Sequence, residues 1–194
     1  MRPIRSRGSI PISAHDVCRR RGLRKLGGST TIELVTVEKA SLPNVAELLA
    51  PLLARVPRER QPLFLAIAER LAAERYRGWA ANPAYAAHRS RLLACALREE
   101  EIAAHVEALR PDAKLIQQEI LAANPDLMDI NRDLFAKLSL ADQMRTQASG
   151  ERAGAGTWRA FAEHAKDPSA SATFLACAKL EEESALVLDD ILGR

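Results

Sequence analysis

Four glutamates, Glu69, Glu99, Glu151 and Glu181, are the residues in this chain whose spacing suggests chemistry, because each falls inside an apolar helical stripe. Around Glu99 the stripe reads Leu92, Cys95, Glu99, Ile102, Val106 and Leu109, in steps of three and four that keep to one side of a helix. Phe174, Cys177, Glu181, Ser184, Leu188 and Ile191 repeat the pattern. Glu69 shares a face with Leu65, Ala73, Tyr76 and Ala80, and Glu151 with Ala148, Ala155, Trp158 and Ala162. A carboxylate in an apolar interior is expensive to desolvate, and like charges close together raise one another's pKa. Three kinds of compensation are open: protons shared among the four, arginines such as Arg70, Arg98 and Arg152 folded inward, or hard divalent cations on oxygen ligands. The adjacent Glu100, Glu101, Glu182 and Glu183 point about 100° and 200° away from the stripe and are expected in solvent.

The elements that must position these residues form an internal repeat. Leu93 to Glu101 (LACALREEE) and Leu175 to Glu183 (LACAKLEEE) are separated by 82 positions, and ERLAAERYRGWA from Glu69 lies over ERAGAGTWRAFA from Glu151 at the same offset. A repeat of this kind dictates topology before any propensity is consulted. The boundaries predict a first hairpin over 62–109, with helices from Pro62 to Ala81 and from Ala84 to Leu109. A crossover over 110–140 holds two shorter helical patterns, and a second hairpin over 141–192 has helices from Ala141 to Ala165 and from Ala170 to Leu192. Pro83, Pro111 and Pro168 mark the breaks. A short helix from Val45 to Arg55 is expected to pack across one end of the bundle. Gly150, Gly154 and Gly156 around Glu151 imply either close approach by a neighbouring helix or a break in the third long helix. The fold class is all-α, and two antiparallel hairpins joined by a long crossover is the connectivity of ferritin-like four-helix bundles.

The residues also carry a family resemblance. Glu69, Tyr76 seven residues later, a hairpin, and then Ala96-Leu97-Arg98-Glu99 resemble the half-motif of rubrerythrin-like ferritin-fold proteins, in which a Glu and a Tyr are followed by Ala-x-x-Glu-x-x-His. Glu151, Trp158 and Ala178-Lys179-Leu180-Glu181 repeat it, so the resemblance spans 62–192. It implies a site for two iron or manganese ions with Glu69, Glu99, Glu151 and Glu181 as ligands, an oxidoreductase or metal-handling role, and a homodimer. The sequence departs from the family where its two histidines belong: Ile102 and Ser184 stand there instead. All-oxygen coordination is more permissive of manganese, magnesium or calcium than a mixed site. The alternative is a metal-free, degenerate bundle serving as an interaction or structural module.

Length and composition agree with one globular helical domain. The chain has 194 residues, 47% hydrophobic and 27% charged, with only 4% aromatic, and Ala and Leu supply most of the apolar content. No stretch suggests a membrane span or a signal peptide, and three cysteines, Cys18, Cys95 and Cys177, without paired metal-binding spacing suggest reduced thiols in the cytoplasm. Cys95 and Cys177, four residues before the site glutamates, are either small buried hydrophobes or soft ligands. Residues 1–28 hold eight of the 28 basic residues but only one acidic residue, so the net charge of +3 comes from the head and the remainder is mildly acidic. Residues 1–40 are expected to form a disordered basic arm and linker, with 41–194 as the bundle; Thr30 to Glu38 alternates like a strand but has no partner run. The run CRRRGLRK could grip nucleic acid or an anionic surface, and Arg- and Ser-rich heads also resemble transit peptides. No aromatic residue is interleaved with the arginines, which argues against nucleic-acid binding.

Overall fold

The computed structural model describes residues 42–193. The chain divides into units 1–39 and 40–194, and all that follows concerns the second. The expected basic arm and the strand-like run at 30–38 lie outside the described residues.

Among the described residues the regular structure is entirely helical: α1 (Val45–Leu53), α2 (Gln61–Ala81), α3 (Arg89–Ala108), α4 (Ala113–Ala123), α5 (Leu127–Ala136), α6 (Leu140–His164) and α7 (Pro168–Ile191). None of these helices is long and apolar enough to cross a membrane. The ends follow local chemistry. Asn44, Ser139 and Asp167 each accept a backbone N–H in the first turn of α1, α6 and α7, which satisfies donors that have no partner within the helix. Pro62 and Pro168 sit in first turns, where a missing N–H costs nothing. Residues Pro83–His88 form a 3-10 segment, so α3 starts later than the sequence predicts. Asn82 accepts the N–H of Ala84 there, and Tyr85 breaks the helical geometry.

Four long helices carry the core. α2 packs along α3, α6 along α7, and α3 against α7. The two hairpins are closed by the same ion pairs at the repeat offset. Arg70 pairs with Glu107 and Arg77 with Glu100 between α2 and α3; Arg152 pairs with Asp189 and Arg159 with Glu182 between α6 and α7. The arginine of each pair is exposed, so each pair is worth little alone, but the pairing fixes an antiparallel register in both hairpins. Arg98 with Glu183 and Arg91 with Asp190 do the same between α3 and α7.

Two expectations change. α1 does not cap an end of the bundle; it lies along α6, with Val45 packed over Gly150. The apolar side of α1, with Leu49, Leu52 and Leu53, is thereby partly buried against the core. The glycines do not break the third long helix, because α6 runs continuously from Leu140 to His164.

Candidate metal centre

The stripes face inward as their spacing predicts. Glu99 is 0% exposed, Glu151 1%, Glu181 2% and Glu69 8%, so four carboxyl groups from four helices are buried together. Burial comes first among the causes of altered acidity at Glu69, Glu99 and Glu181. It pushes Glu69 up to about 8, with the charge of Glu151 adding to it, and holds Glu99 and Glu181 well above the usual carboxylate range.

Three of the four carboxyls are oriented by neutral neighbours. Tyr76 donates its hydroxyl to Glu151 Oε1 at 2.7 Å, and Gln147 Nε2 donates to the same oxygen at 2.7 Å. Trp158 Nε1 donates to Glu181 Oε1 at 2.9 Å. Ser184 Oγ donates to Glu99 Oε1 at 2.8 Å, which leaves Glu99 Oε2 buried with no partner. The charge of Glu151 acts on Glu69, and those of Glu69 and Glu151 act on Glu181, so the carboxyls raise one another's pKa across the layer. Glu69, Glu99 and Glu181 each bring one oxygen within 4.8 Å of the others. Three oxygens about a hard cation, each at about 2.0–2.6 Å from it, have separations in this range.

Inward-folded arginine is not the compensation found. Arg70, Arg98 and Arg152 reach outward instead, to Glu107, Glu183 and Asp189. They start at positions flanking the stripe, from which a flexible side chain meets a surface carboxylate at far smaller desolvation cost. Arg75 comes near without bonding to the cluster, and Arg98 also acts on Glu99 through space. Arg75 donates to Gln147 Oε1 and Asn131 Oδ1, both at 2.9 Å, and stacks on Phe135 at 3.8 Å from the ring centre, so it acts on the glutamates only through space. Burial lowers its pKa to about 10, and it remains charged at neutral pH. Among the described residues this leaves shared protons or cations to neutralise the layer.

Gly154 makes room for the cluster. A Cβ there would stand 2.5 Å from Glu181 Oε1, so the small residue lets this carboxyl lie against the backbone of α6. Of the neighbouring acids, Glu101 and Glu182 are exposed while Glu100 and Glu183 are half-buried, and Glu100, Glu182 and Glu183 pair with arginines. His105 lies 3.9 Å from the exposed Glu101, on the outer side of α3. Cys95 and Cys177 are buried free thiols, both pushed up to about 12 chiefly by burial, and neither belongs to the oxygen cluster.

Gln147 and Arg75 are the site's neighbours that sequence reasoning misses, whereas Gly154 belongs to the glycine group whose spacing implies close approach, here by Glu181 of α7. Gln147 precedes Glu151 by four residues, a spacing that places two side chains together on a helix and could have indicated it. Arg75 gives no comparable signal, because its partners come from α5 and α6.

Comparison with protein-family models, with curated proteins and with solved structures finds no match to this chain.

Proposed function

We propose that this chain is a ferritin-like carboxylate bundle, similar to the rubrerythrin-like proteins, whose buried glutamates hold a divalent metal centre of iron or manganese. The observation that carries this reading is the cluster itself: one oxygen from each of Glu69, Glu99 and Glu181 lies within 4.8 Å of the others, in a site where Glu99 Oε2 is buried without a hydrogen-bond partner. A buried acceptor without a donor is costly, and a cation among three such oxygens removes the cost. The donor set fits a hard cation: Glu69, Glu99 and Glu181 would form the first position, with Glu151 beside Glu181 available to a second. Bound iron or manganese would supply Lewis acidity and one-electron redox chemistry.

The chain's own groups have defined tasks in this arrangement. Tyr76 and Gln147 fix Glu151, Trp158 fixes Glu181, and Ser184 fixes Glu99, so three ligand carboxyls are oriented before any cation arrives. Cation entry must displace the protons that burial keeps on Glu69, Glu99 and Glu181, so affinity rises with pH.

Ile102 and Ser184, at the family's histidine positions, favour a second reading: a metal-free bundle that keeps protonated carboxyls and serves as an interaction or structural module. Metal analysis and thermal melting with manganese(II) or iron(II), on the native chain and on a Glu99→Gln, Glu181→Gln variant, separate the two. Stoichiometric metal and a raised melting temperature, both lost in the variant, are expected. A folded native chain that takes up no metal under any loading condition would leave the second reading in its place.

A further inference from the structure

The four long helices do not close evenly: α3 packs on α7, whereas α2 and α6 leave a cavity of about 260 Å³ between them. Leu48 and Leu49 of α1 and Ile130 and Leu134 of α5 cover it. A 2.8 Å ion pair from Arg55, just after α1, to Asp126, at the start of α5, joins the two covering segments. Most of the wall is aliphatic. Leu52 and Leu127 face Phe64 and Leu65 at one end, Glu69, Glu151 and Glu181 border the middle, and Arg75, Asn131, Thr146 and Gln147 stand at the other end.

The charged groups of this wall are already engaged. Arg75 donates to Gln147 and Asn131 and stacks on Phe135, Tyr76 and Gln147 donate to Glu151, and Trp158 donates to Glu181. Glu69 sets an oxygen within 4.8 Å of Glu99 and Glu181. Burying a charged head group is costly unless a free counter-charge receives it. Here an anion would lie against the carboxyls and a cation near the Arg75 guanidinium. Thr146 is different. It lines the same cavity, is 1% exposed, and its hydroxyl has no hydrogen-bond partner among the described residues. Buried hydroxyls are nearly always paired, so this one marks where a ligand's neutral polar atom belongs.

We propose that this cavity binds a neutral medium-chain aliphatic alcohol, with its hydroxyl paired to Thr146 and its chain lying along the leucines of α1 and α5. An apolar cavity of about 150 Å³ accommodates benzene, so the volume here suits on the order of ten non-hydrogen atoms. The threonine hydroxyl can donate and accept, and so can that of an alcohol, which lets one pair satisfy both groups. Burial of the chain supplies the affinity, and the hydroxyl pair fixes the orientation. The bound chain passes beside Glu69, Glu151 and Glu181, but its binding requires no metal.

The test is calorimetric titration of the full, metal-stripped chain with octan-1-ol, octanoate and octylamine. Saturable one-to-one octanol binding, at least tenfold tighter than that of either charged analogue, is expected. Thr146→Val keeps the side-chain volume and removes a buried unpaired hydroxyl, so the melting temperature should not fall. Octanol affinity in this variant should fall at least fivefold. Ala68→Phe, which fills the cavity from α2, should abolish binding while the helical signal is retained. Absence of octanol binding by the folded native chain, a charged analogue that binds as tightly, unchanged octanol affinity in Thr146→Val, or binding that persists in folded Ala68→Phe would overturn the proposal. Metal uptake is measured separately on the same chain. Octanol binding without metal uptake supports this inference while removing the metal reading; metal uptake without octanol binding does the reverse.

Discussion

Tyr76 of the first hairpin donates to Glu151 of the second at 2.7 Å, whereas Trp158, its counterpart in the repeat, donates to Glu181 of its own hairpin at 2.9 Å. Equivalent positions therefore do unequal work. Tyr76 ties the hairpins together across the gap between α2 and α6, while Trp158 orients a carboxyl within one hairpin and stacks on Phe174.

Removing the crossing bond should cost stability. Tyr76→Phe keeps the ring packed but takes a donor from a buried carboxyl, leaving Gln147 as the remaining donor to Glu151 Oε1. A loss of about 1–3 kcal/mol is expected in chemical denaturation, the range for a buried hydrogen bond to a group that carries or shares charge. A variant as stable as the native chain would show that the bond contributes nothing to joining the hairpins.

Gly154→Ala should separate stability from site geometry. Alanine gains up to about 1 kcal/mol in helix propensity, but its Cβ would displace the Glu181 carboxyl and break the bond from Trp158. The net stability change is expected within about 1 kcal/mol. Near-ultraviolet circular dichroism from Trp158 should change, and manganese-dependent stabilisation should fall at least tenfold in apparent affinity.

The metal-free chain should lose stability as pH rises from about 4.5 to about 8. Glu69 is held up to about 8 from an unperturbed 4.5, so between these values the folded state binds the proton that the unfolded state has lost. Stability from this group is fully present below about 4.5 and gone above about 8. Glu99 and Glu181, also shifted upward, act in the same direction. Melting temperatures measured across this window without metal should decline, and saturating manganese should flatten or reverse the decline because it replaces the protons.

Cys95 and Cys177 should resist alkylation in the native chain. Both are buried and free, with pKa values pushed up to about 12, so the thiolate is scarce and inaccessible. Peptide mapping after iodoacetamide treatment should find both unmodified until denaturant is added. Rapid native labelling of either would contradict the packing described.

Much of the helical layout could be read from the sequence because it depends on local chemistry. Prolines and caps placed α2, α6 and α7 within a few residues of their observed ends, and periodicity put Glu69, Glu99, Glu151 and Glu181 on buried faces. The start of α3 is not legible because Pro83 suits the first turn of a 3-10 segment as well as that of an α-helix, and the non-helical backbone at Tyr85 that separates the two leaves no local pattern. The seat of α1 was misread for a related reason: an amphipathic stripe specifies that a helix must cover something, but not what.

The sequence by itself determined that four carboxyl groups must be buried, since period and composition fix which side of a helix avoids water. Only the tertiary structure decided how they are accompanied. Whether an arginine turns inward, whether a glycine clears space for a carboxyl, and whether two helices touch or leave a cavity depend on distances between segments far apart in the chain. The outward turn of Arg98, the unpaired oxygen of Glu99 and the unpaired hydroxyl of Thr146 are consequences of that packing, and no local pattern encodes them.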